Sequence, residues 1–284
     1  DFVYRGEVDK VFADGTRWVD AHRDRTFFLF LHTYQVHSPY SPPEHLRGLF
    51  KDVPPREPPG LQEFALQYDQ EARHADDDSG PCLTHLARIG LAEHSIVVVT
   101  SDHGEEFGEH GGFGHGRTLY PEVLRVPLVI AAPGLLAPVE VGAPASLLDV
   151  VPTLFDLLGL APTPEQRGVS LVPRARAAAS GEGSDASDAQ RPIFGEVDRT
   201  ERVQFRQVSV RRGGAAAILD LVNGITRCYG PNDPGETRPE STCPELTELI
   251  EVHRKASVPI GSRAAERPAD PELIEKMRAL GYLE

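Results

Sequence analysis

The sequence predicts an α/β protein, with a layered sheet that carries helices and a small C-terminal α+β subdomain. Along the first part of the chain, short apolar and β-branched runs alternate with amphipathic segments, as strands alternate with helices in such folds. Residues 177–190 (AAASGEGSDASDAQ) are small and polar, which is typical of a linker. Beyond them, apolar and polar residues alternate, as they do in antiparallel strands.

The first elements are a helix and a strand. Residues 7–22 carry apolar side chains at a helical period, which predicts one helix. The run Thr26-Phe-Phe-Leu-Phe-Leu31 is short, continuous and apolar, so we expect a buried strand of a parallel sheet. Residues 39–60 are rich in proline and should be largely irregular.

The next part of the chain predicts further helices and two more strands. A helix is expected from near Leu61, interrupted at Gly80-Pro81 because proline lacks the amide hydrogen that a helix needs, and resuming as a short helix over 83–91. The predicted strands are 96–100, which is β-branched and should be buried, and 126–131; an amphipathic helix over 147–158 follows and ends at Gly159.

The polar stretch divides the predicted domains. Residues 1–176 form the larger α/β part, 177–190 the linker and 191–284 the C-terminal subdomain. In the subdomain, 203–210 and 216–222 should form an antiparallel pair, and 271–280 a closing helix.

Composition excludes several classes of protein. The 284 residues carry a formal net charge of −14, and no basic run is present, so binding to nucleic acid phosphates is not expected. No apolar stretch approaches the roughly 18 residues of a membrane-spanning helix. The three cysteines form no zinc-binding spacing, and they allow a single Cys228–Cys243 bridge.

The densest group of polar residues is 101–116 (SDHGEEFGEHGGFGHG), directly after a predicted strand, where ligands gather in open α/β sheets. Asp102 and His103 could share a divalent ion, and Gly104 would let the backbone turn away without a side chain in the pocket. His115, between two glycines, could approach an anionic group closely. In isolation, an Asp-His pair is more often an ordinary loop cap beside a surface histidine, and a glycine-flanked histidine can be an exposed residue of a glycine-rich turn.

A second histidine cluster follows the first predicted strand. His37, before Ser-Pro-Tyr, is the better functional candidate, whereas His32 is as compatible with packing as with function. If the two strands are neighbours, both clusters face one crevice.

Taken together, these segments resemble the sulfatase family of the alkaline phosphatase superfamily. The resemblance lies in FFLFLHTYQVHSPYSPP, YDQEARHAD and IVVVTSDHGEEFGEHGGFGHGRTLYPEVLRVPLVIAAPG, with LLDVVPTLFDLLGL, RGVSLVP, DPGET and MRALGYL in matching order. It runs over nearly the whole chain. It implies an alkaline-phosphatase-like layered sheet with helices on both faces, and makes 1–176 the C-terminal part of a catalytic domain.

The resemblance also implies roles for particular residues. Asp102 and His103 fall on two ligands of the active-site metal. His37 and His115 fall on catalytic positions that contact the anion under attack or the leaving oxygen, the second position often being lysine in the family. His110, between them, is expected to contact the substrate.

One departure from the family concerns the nucleophile. Sulfatases use a formylglycine made from Cys or Ser in C/S-x-P-x-R, and this sequence contains no such motif. The formylglycine and two further acidic metal ligands are therefore expected upstream of Asp1. On this interpretation the chain is a C-terminal fragment, inactive alone.

The predicted function is metal-dependent hydrolysis of a sulfate ester of a small molecule or glycan. Calcium is the ion that the family favours, while zinc or manganese would suit the nitrogen of His103 better. A phosphodiesterase or phosphoethanolamine-type phosphotransferase of the same superfamily, and a non-catalytic binding remnant, remain alternatives. A periplasmic or secreted location is expected from the resemblance.

Overall fold

The computed structural model describes residues 7–52, 60–182, 186–199 and 205–256. These fall into two compact units, the first containing the described residues up to Arg88 together with 254–256, and the second spanning Ile89–His253. The helices of eight or more residues are α1 (Val8–His22), α2 (Gln62–Arg88), α4 (Val150–Leu157), α5 (Val172–Ala179) and α7 (Pro244–Ala256), and the short ones are α3 (Pro121–Leu124) and α6 (Ala186–Ala189). The strands are β1 (Val97–Thr100), β2 (Glu106–Phe107), β3 (Phe113–Gly114), β4 (Leu128–Ala131), β5 (Ile193–Arg199), β6 (Phe205–Arg212), β7 (Ala215–Asp220) and β8 (Thr226–Tyr229).

The first unit is built on the packing of α1 against α2. Helix α1 confirms the helix predicted over 7–22 and buries Val8 and Val19. A hydrogen bond of 2.8 Å between the His85 imidazole and the Asp20 carboxylate joins the two helices.

Residues 26–31 do not form the predicted buried strand. No strand of the described chain pairs with them, and Phe28 and Phe30 are 79% and 74% exposed. A strand requires a neighbour to satisfy its backbone amides and carbonyls, and apolar character alone does not supply one. Leu31 does pack inward: a Cβ at Gly15 would meet its side chain at 2.8 Å.

Helix α2 also differs from prediction, since it runs unbroken through Gly80 and Pro81 and absorbs the short helix expected over 83–91. Proline removes one helical hydrogen bond, but packing can outweigh that local cost. Here Cys82 is buried just beyond the proline, and His85 holds the same stretch to α1.

The second unit begins with β1 and β4, which form an antiparallel pair with Val97 opposite Ala131. Both strands were predicted from sequence, and 96–100 was expected to be buried. The structure shows one exposed face instead, with Val99 50% and Val129 58% exposed. The apolar composition of these strands therefore does not correspond to burial among the described residues.

A four-stranded antiparallel meander, β5-β6-β7-β8, forms the larger sheet of this unit. The predicted pairing of the middle two strands is confirmed, with Val210 opposite Ala217. One face packs on α7 through a core of Val208, Val210, Ala217, Leu219, Leu246 and Ile250. The other packs on Leu119 through Ala216, Ile218 and Tyr229.

The Cys228–Cys243 disulfide is formed, as the sequence allowed. It closes the loop between β8 and α7. Within that loop Glu240 donates its amide to the Cys228 carbonyl at 2.8 Å and forms a β-bridge with that cysteine. The DPGET segment is thus held on both sides.

Helix α4 confirms the helix predicted before Gly159, whose φ of +66° is the left-handed conformation that glycine favours after a helix. The predicted linker is partly helical, because α5 and α6 take up portions of 177–190. That stretch lies within the second unit. The predicted helix over 271–280 lies outside the described residues, and none of the described helices is both long and apolar enough to cross a bilayer.

Replacing Pro81 by Ala should raise the free energy of unfolding by about 1–3 kcal/mol, since it restores a helical hydrogen bond in α2. Gly80→Ala should add about 0.5–1 kcal/mol, because a Cβ there meets nothing within 4 Å. Urea unfolding monitored by circular dichroism measures both. Gly90→Ala is the control and should destabilise, because Gly90 has a φ of +76°. A loss of stability in Pro81→Ala would contradict this account.

Candidate active site

The candidate site is the segment 101–116 that follows β1 in the second unit. Its turn depends on Gly104, whose amide donates to the Val123 carbonyl at 2.7 Å. A Cβ at this position would collide with the carbonyl oxygen of Glu122. Only glycine lets the chain pass this close to α3, so the residue after the predicted ligand pair is fixed by packing.

Asp102 and His103 lie at the surface of this turn with their donor atoms close together. Oδ2 of Asp102 is 3.7 Å from Nε2 of His103. The Nδ1 atom of His103 lies 2.8 Å from the Gly104 carbonyl, which can only accept, so Nδ1 carries a hydrogen and, in the neutral ring, Nε2 has the lone pair that a metal ligand needs.

These two residues fit a metal ion. Ligand atoms at about 2.0–2.4 Å from one cation lie roughly 3–4 Å from each other, which is the separation seen here. The described ranges contain no group of three or more His, Cys, Asp or Glu side chains placed to hold an ion. The pair by itself would therefore not complete a metal site.

A two-stranded hairpin brings His115 to this pair. Glu106 in β2 lies opposite Gly114 in β3, and Phe107 opposite Phe113, so the next positions outward are 105 and 115. Nδ1 of His115 lies 2.9 Å from Oε1 of Glu105. The imidazole also stacks on that of His103, with ring centroids 3.9 Å apart and planes inclined by 29°.

Glu106, which sequence reasoning did not single out, closes the hairpin. Its carboxylate is buried and accepts hydrogen bonds from the Gly112 amide at 2.7 Å, the Thr118 hydroxyl at 2.8 Å and the His110 amide at 3.3 Å. A Cβ on Gly112 would lie within 2.6 Å of that carboxylate. In the sequence, Glu106 is visible only as one of two adjacent glutamates beside a glycine-rich stretch. That pattern does not indicate that its carboxylate is buried and accepts several hydrogen bonds.

His110 has partners at both ring nitrogens. Nδ1 lies 2.7 Å from the Glu122 carboxylate and Nε2 3.0 Å from the Glu236 carbonyl, while the ring stacks on Tyr120. Burial alone would lower the pKa of His110, but the hydrogen bond and charge of Glu122 outweigh it and raise the pKa. This arrangement favours a structural role for His110 over the predicted substrate contact.

Glu236, in the DPGET segment, is itself buried and paired. Arg211 of β6 donates to both of its carboxylate oxygens at 2.8 Å and to the Leu119 carbonyl at 2.6 Å. Burial raises the pKa of Glu236, although the charge of Arg211 acts in the opposite direction. The candidate loop is thereby attached to the four-stranded sheet.

His37 lies in the first unit, in a turn after residues 26–31. Its amide donates to the Tyr34 carbonyl at 3.0 Å, and its Nδ1 donates to the Ser38 carbonyl at 2.7 Å. The turn is anchored to α2 by Glu71, which accepts from the Ser41 amide at 2.6 Å. The catalytic role assigned to His37 stays a prediction.

Comparison with known proteins identifies the family. The family model described as Sulfatase matches residues 3–160, more than half of the chain. The chain belongs to the sulfatase family.

Individual relatives agree with this assignment. Arylsulfatase K of Bos taurus is 39% identical over 95 residues, which are 33% of this chain and 17% of that protein. A solved structure in complex with its substrate, D-glucosamine-2-N,6-O-disulfate, is 25% identical with a TM-score of 0.56, over 69% of this chain and 41% of the other. A sulfatase structure from Bacteroides fragilis, 16% identical, gives a TM-score of 0.69 over 98% of this chain and 60% of the other.

These structures confirm the predicted alkaline-phosphatase-like α/β fold. The chain spans only part of each relative, between 17% of the bovine protein and 60% of the Bacteroides fragilis chain.

The anchor of the His37 turn should make stability depend on pH. Burial raises the pKa of Glu71 from 4.5 to about 7, against the lowering effect of its Ser41 and Gln35 hydrogen bonds. Since the folded pKa exceeds the unfolded one, this stabilisation is complete below pH 4.5 and is lost as the pH rises to about 7.

In the wild-type protein, ionisation of Glu71 should lower the free energy of unfolding by an amount on the order of 3 kcal/mol as the pH rises. Glu71→Gln should remove this decrease, because glutamine does not ionise. Urea titrations at pH 5 and pH 8 measure it, and Glu63→Gln, at an exposed residue, is the control. If the free energy of unfolding of Glu71→Gln still differs between pH 5 and pH 8 as much as that of the wild-type protein, Glu71 is not the source of the pH dependence.

Proposed function

We propose that this chain is the C-terminal part of a metal-dependent sulfatase that hydrolyses sulfate esters of small molecules or glycans. The observation that carries the proposal is the contact of His115 with His103, which lies beside Asp102, within the part of the chain that the family model matches. The proximity of an aspartate and a histidine suited to a metal ion to a second histidine suited to an anion supports the proposal.

Each residue has a role that its chemistry supports. Asp102 and His103 would hold the metal ion, which when bound supplies a Lewis acid for the oxygens of the ester. With Nδ1–H held by Glu105, His115 would act in its doubly protonated form, in which Nε2 donates a hydrogen bond to the ester or a proton to its leaving oxygen, where negative charge develops. His37 keeps the role in contacting the anion that the resemblance implies.

We infer that the nucleophile and the remaining ligands belong to a part of the protein outside this sequence. The limited share of each relative that the chain covers supports this inference. So does the lack of a C/S-x-P-x-R motif in the 284 residues. The chain would then be inactive alone.

A sulfated amino sugar is a suitable first substrate to test. The solved structure that resembles this chain at 25% identity holds D-glucosamine-2-N,6-O-disulfate as its substrate. A periplasmic or secreted location is proposed with it, because the Cys228–Cys243 bridge is the kind of bond that persists in oxidising compartments.

Phosphoryl chemistry is the second candidate, and His103 is the observation that favours it. An imidazole nitrogen with its lone pair available suits zinc or manganese better than calcium, whose ligands are oxygens. Metal analysis of the purified full-length protein distinguishes these ions.

Asp102→Ala in the full-length protein should abolish metal-dependent hydrolysis, because it removes a ligand of the ion. Turnover of a sulfate ester and a phosphodiester, together with bound metal content, measures the effect. Asp24→Ala, at an exposed carboxylate, is the matched control and should retain activity.

Full activity of Asp102→Ala would refute the site assignment. Turnover of only the phosphodiester would favour the second candidate. Hydrolysis of neither ester by the wild-type protein would favour a non-catalytic binding remnant.

A further inference from the structure

We propose that Glu105 is a positioning residue for His115, holding the imidazole in the single orientation in which it meets the substrate anion. This inference rests on the proposed function, since it deepens the role of His115. Glu105 was not among the residues singled out from sequence, and nothing in the family assignment gives it a role.

The hairpin creates the contact. Pairing of Glu106 with Gly114 makes 105 and 115 the next opposed positions, on the side of the hairpin that continues into the ligand pair. The Glu105 side chain is 3% exposed and that of His115 is 28% exposed. The carboxylate is therefore an interior group, and the imidazole that it contacts reaches the surface.

Two contacts together fix the ring. The hydrogen bond of 2.9 Å between Nδ1 and Glu105 sets the rotation of the ring within its own plane, and stacking on His103 sets the tilt of that plane. A ring constrained in both ways presents Nε2 in one direction only. Prepositioned donors stabilise developing charge without reorganising during the reaction, so this constraint should act on the chemical step.

Glu106, rather than Glu105, closes the hairpin. The hydrogen bonds that close the hairpin go to Glu106, so the hairpin does not rely on Glu105 for them. A Cβ at Gly114 would make only an ordinary contact with Oε1 of Glu105, at 3.7 Å, so backbone conformation rather than space favours glycine there. Gly114 has a φ of +84°, which side chains rarely adopt.

The proposal requires a hydrogen-bond acceptor at this place. Glutamine keeps an acceptor oxygen at nearly the same distance from the backbone, whereas leucine keeps the volume and loses the acceptor. Aspartate keeps the acceptor but withdraws it by one methylene. These three substitutions therefore separate the hydrogen bond from packing.

The experiment uses the full-length protein with Glu105→Gln, Glu105→Leu, His115→Ala and the Glu105→Leu/His115→Ala double variant. With a sulfate ester that the wild-type protein hydrolyses, Glu105→Leu should lower kcat about 10- to 100-fold with little change in KM. Glu105→Gln should restore most of that loss. In the His115→Ala background, Glu105→Leu should cost nothing more, because the two residues act through one contact.

Crystal structures of the variants give a readout that does not depend on turnover. The His115 ring should leave its stacked position on His103 in Glu105→Leu and keep it in Glu105→Gln. If Glu105→Leu does not fold, Glu105→Asp replaces it and should show the same loss of kcat only where His115 is present.

Three results would overturn the proposal: an unmoved ring with full kcat in Glu105→Leu, an equal loss in Glu105→Leu and Glu105→Gln, or an undiminished loss in the His115→Ala background. A wild-type protein that hydrolyses no ester would instead refute the proposed function. In that case the ring positions alone decide whether Glu105 orients His115.

Discussion

The buried carboxylate of Glu106 is the interaction on which the candidate site depends. Its three hydrogen bonds gather the amides of His110 and Gly112 and the hydroxyl of Thr118, which would otherwise point in different directions along a glycine-rich segment. Burying a carboxylate without such partners would be strongly unfavourable. The three donors therefore stabilise the buried carboxylate, and the carboxylate in turn fixes the positions of the donors. Because this closure sets the register of the hairpin, it also decides which residue lies opposite His115.

The surroundings of the site explain how an acidic chain can present cationic and metal-binding groups. Each nearby glutamate is already engaged within the protein: Glu105 by His115, Glu106 by backbone amides, Glu122 by His110 and Glu236 by Arg211. These four carboxylates accept hydrogen bonds from within the protein, so the net charge of −14 does not by itself describe the local field at the site. Asp102 differs because its side chain is 64% exposed.

The sequence predicts the parts of this structure that depend on local chemistry. Helix α1, the β6–β7 pair and the stop at Gly159 follow from periodicity and glycine conformation, and the loop 101–116 is found from its residue types. The β2–β3 hairpin is not predicted, because strands of two residues have no periodicity. It is held together by the Glu106 side chain, which accepts hydrogen bonds from two amides and one hydroxyl. The predictions of a buried strand at 26–31 and of a helix break at Pro81 are wrong for a different reason. Both outcomes depend on which residues pack against the segment, and the local sequence pattern does not contain that information.

The contact between His110 and Glu236 joins residues 126 positions apart in the chain. A ribosome releases the loop 101–116 long before it has made β8 and the segment that carries Glu236. Throughout that interval the nascent loop lacks one of its two anchors, and contacts of such long range form slowly. The contact with Glu236 therefore cannot form until that segment has been made, and a chain that stops short of the disulfide-closed loop would leave Nε2 of His110 without this partner.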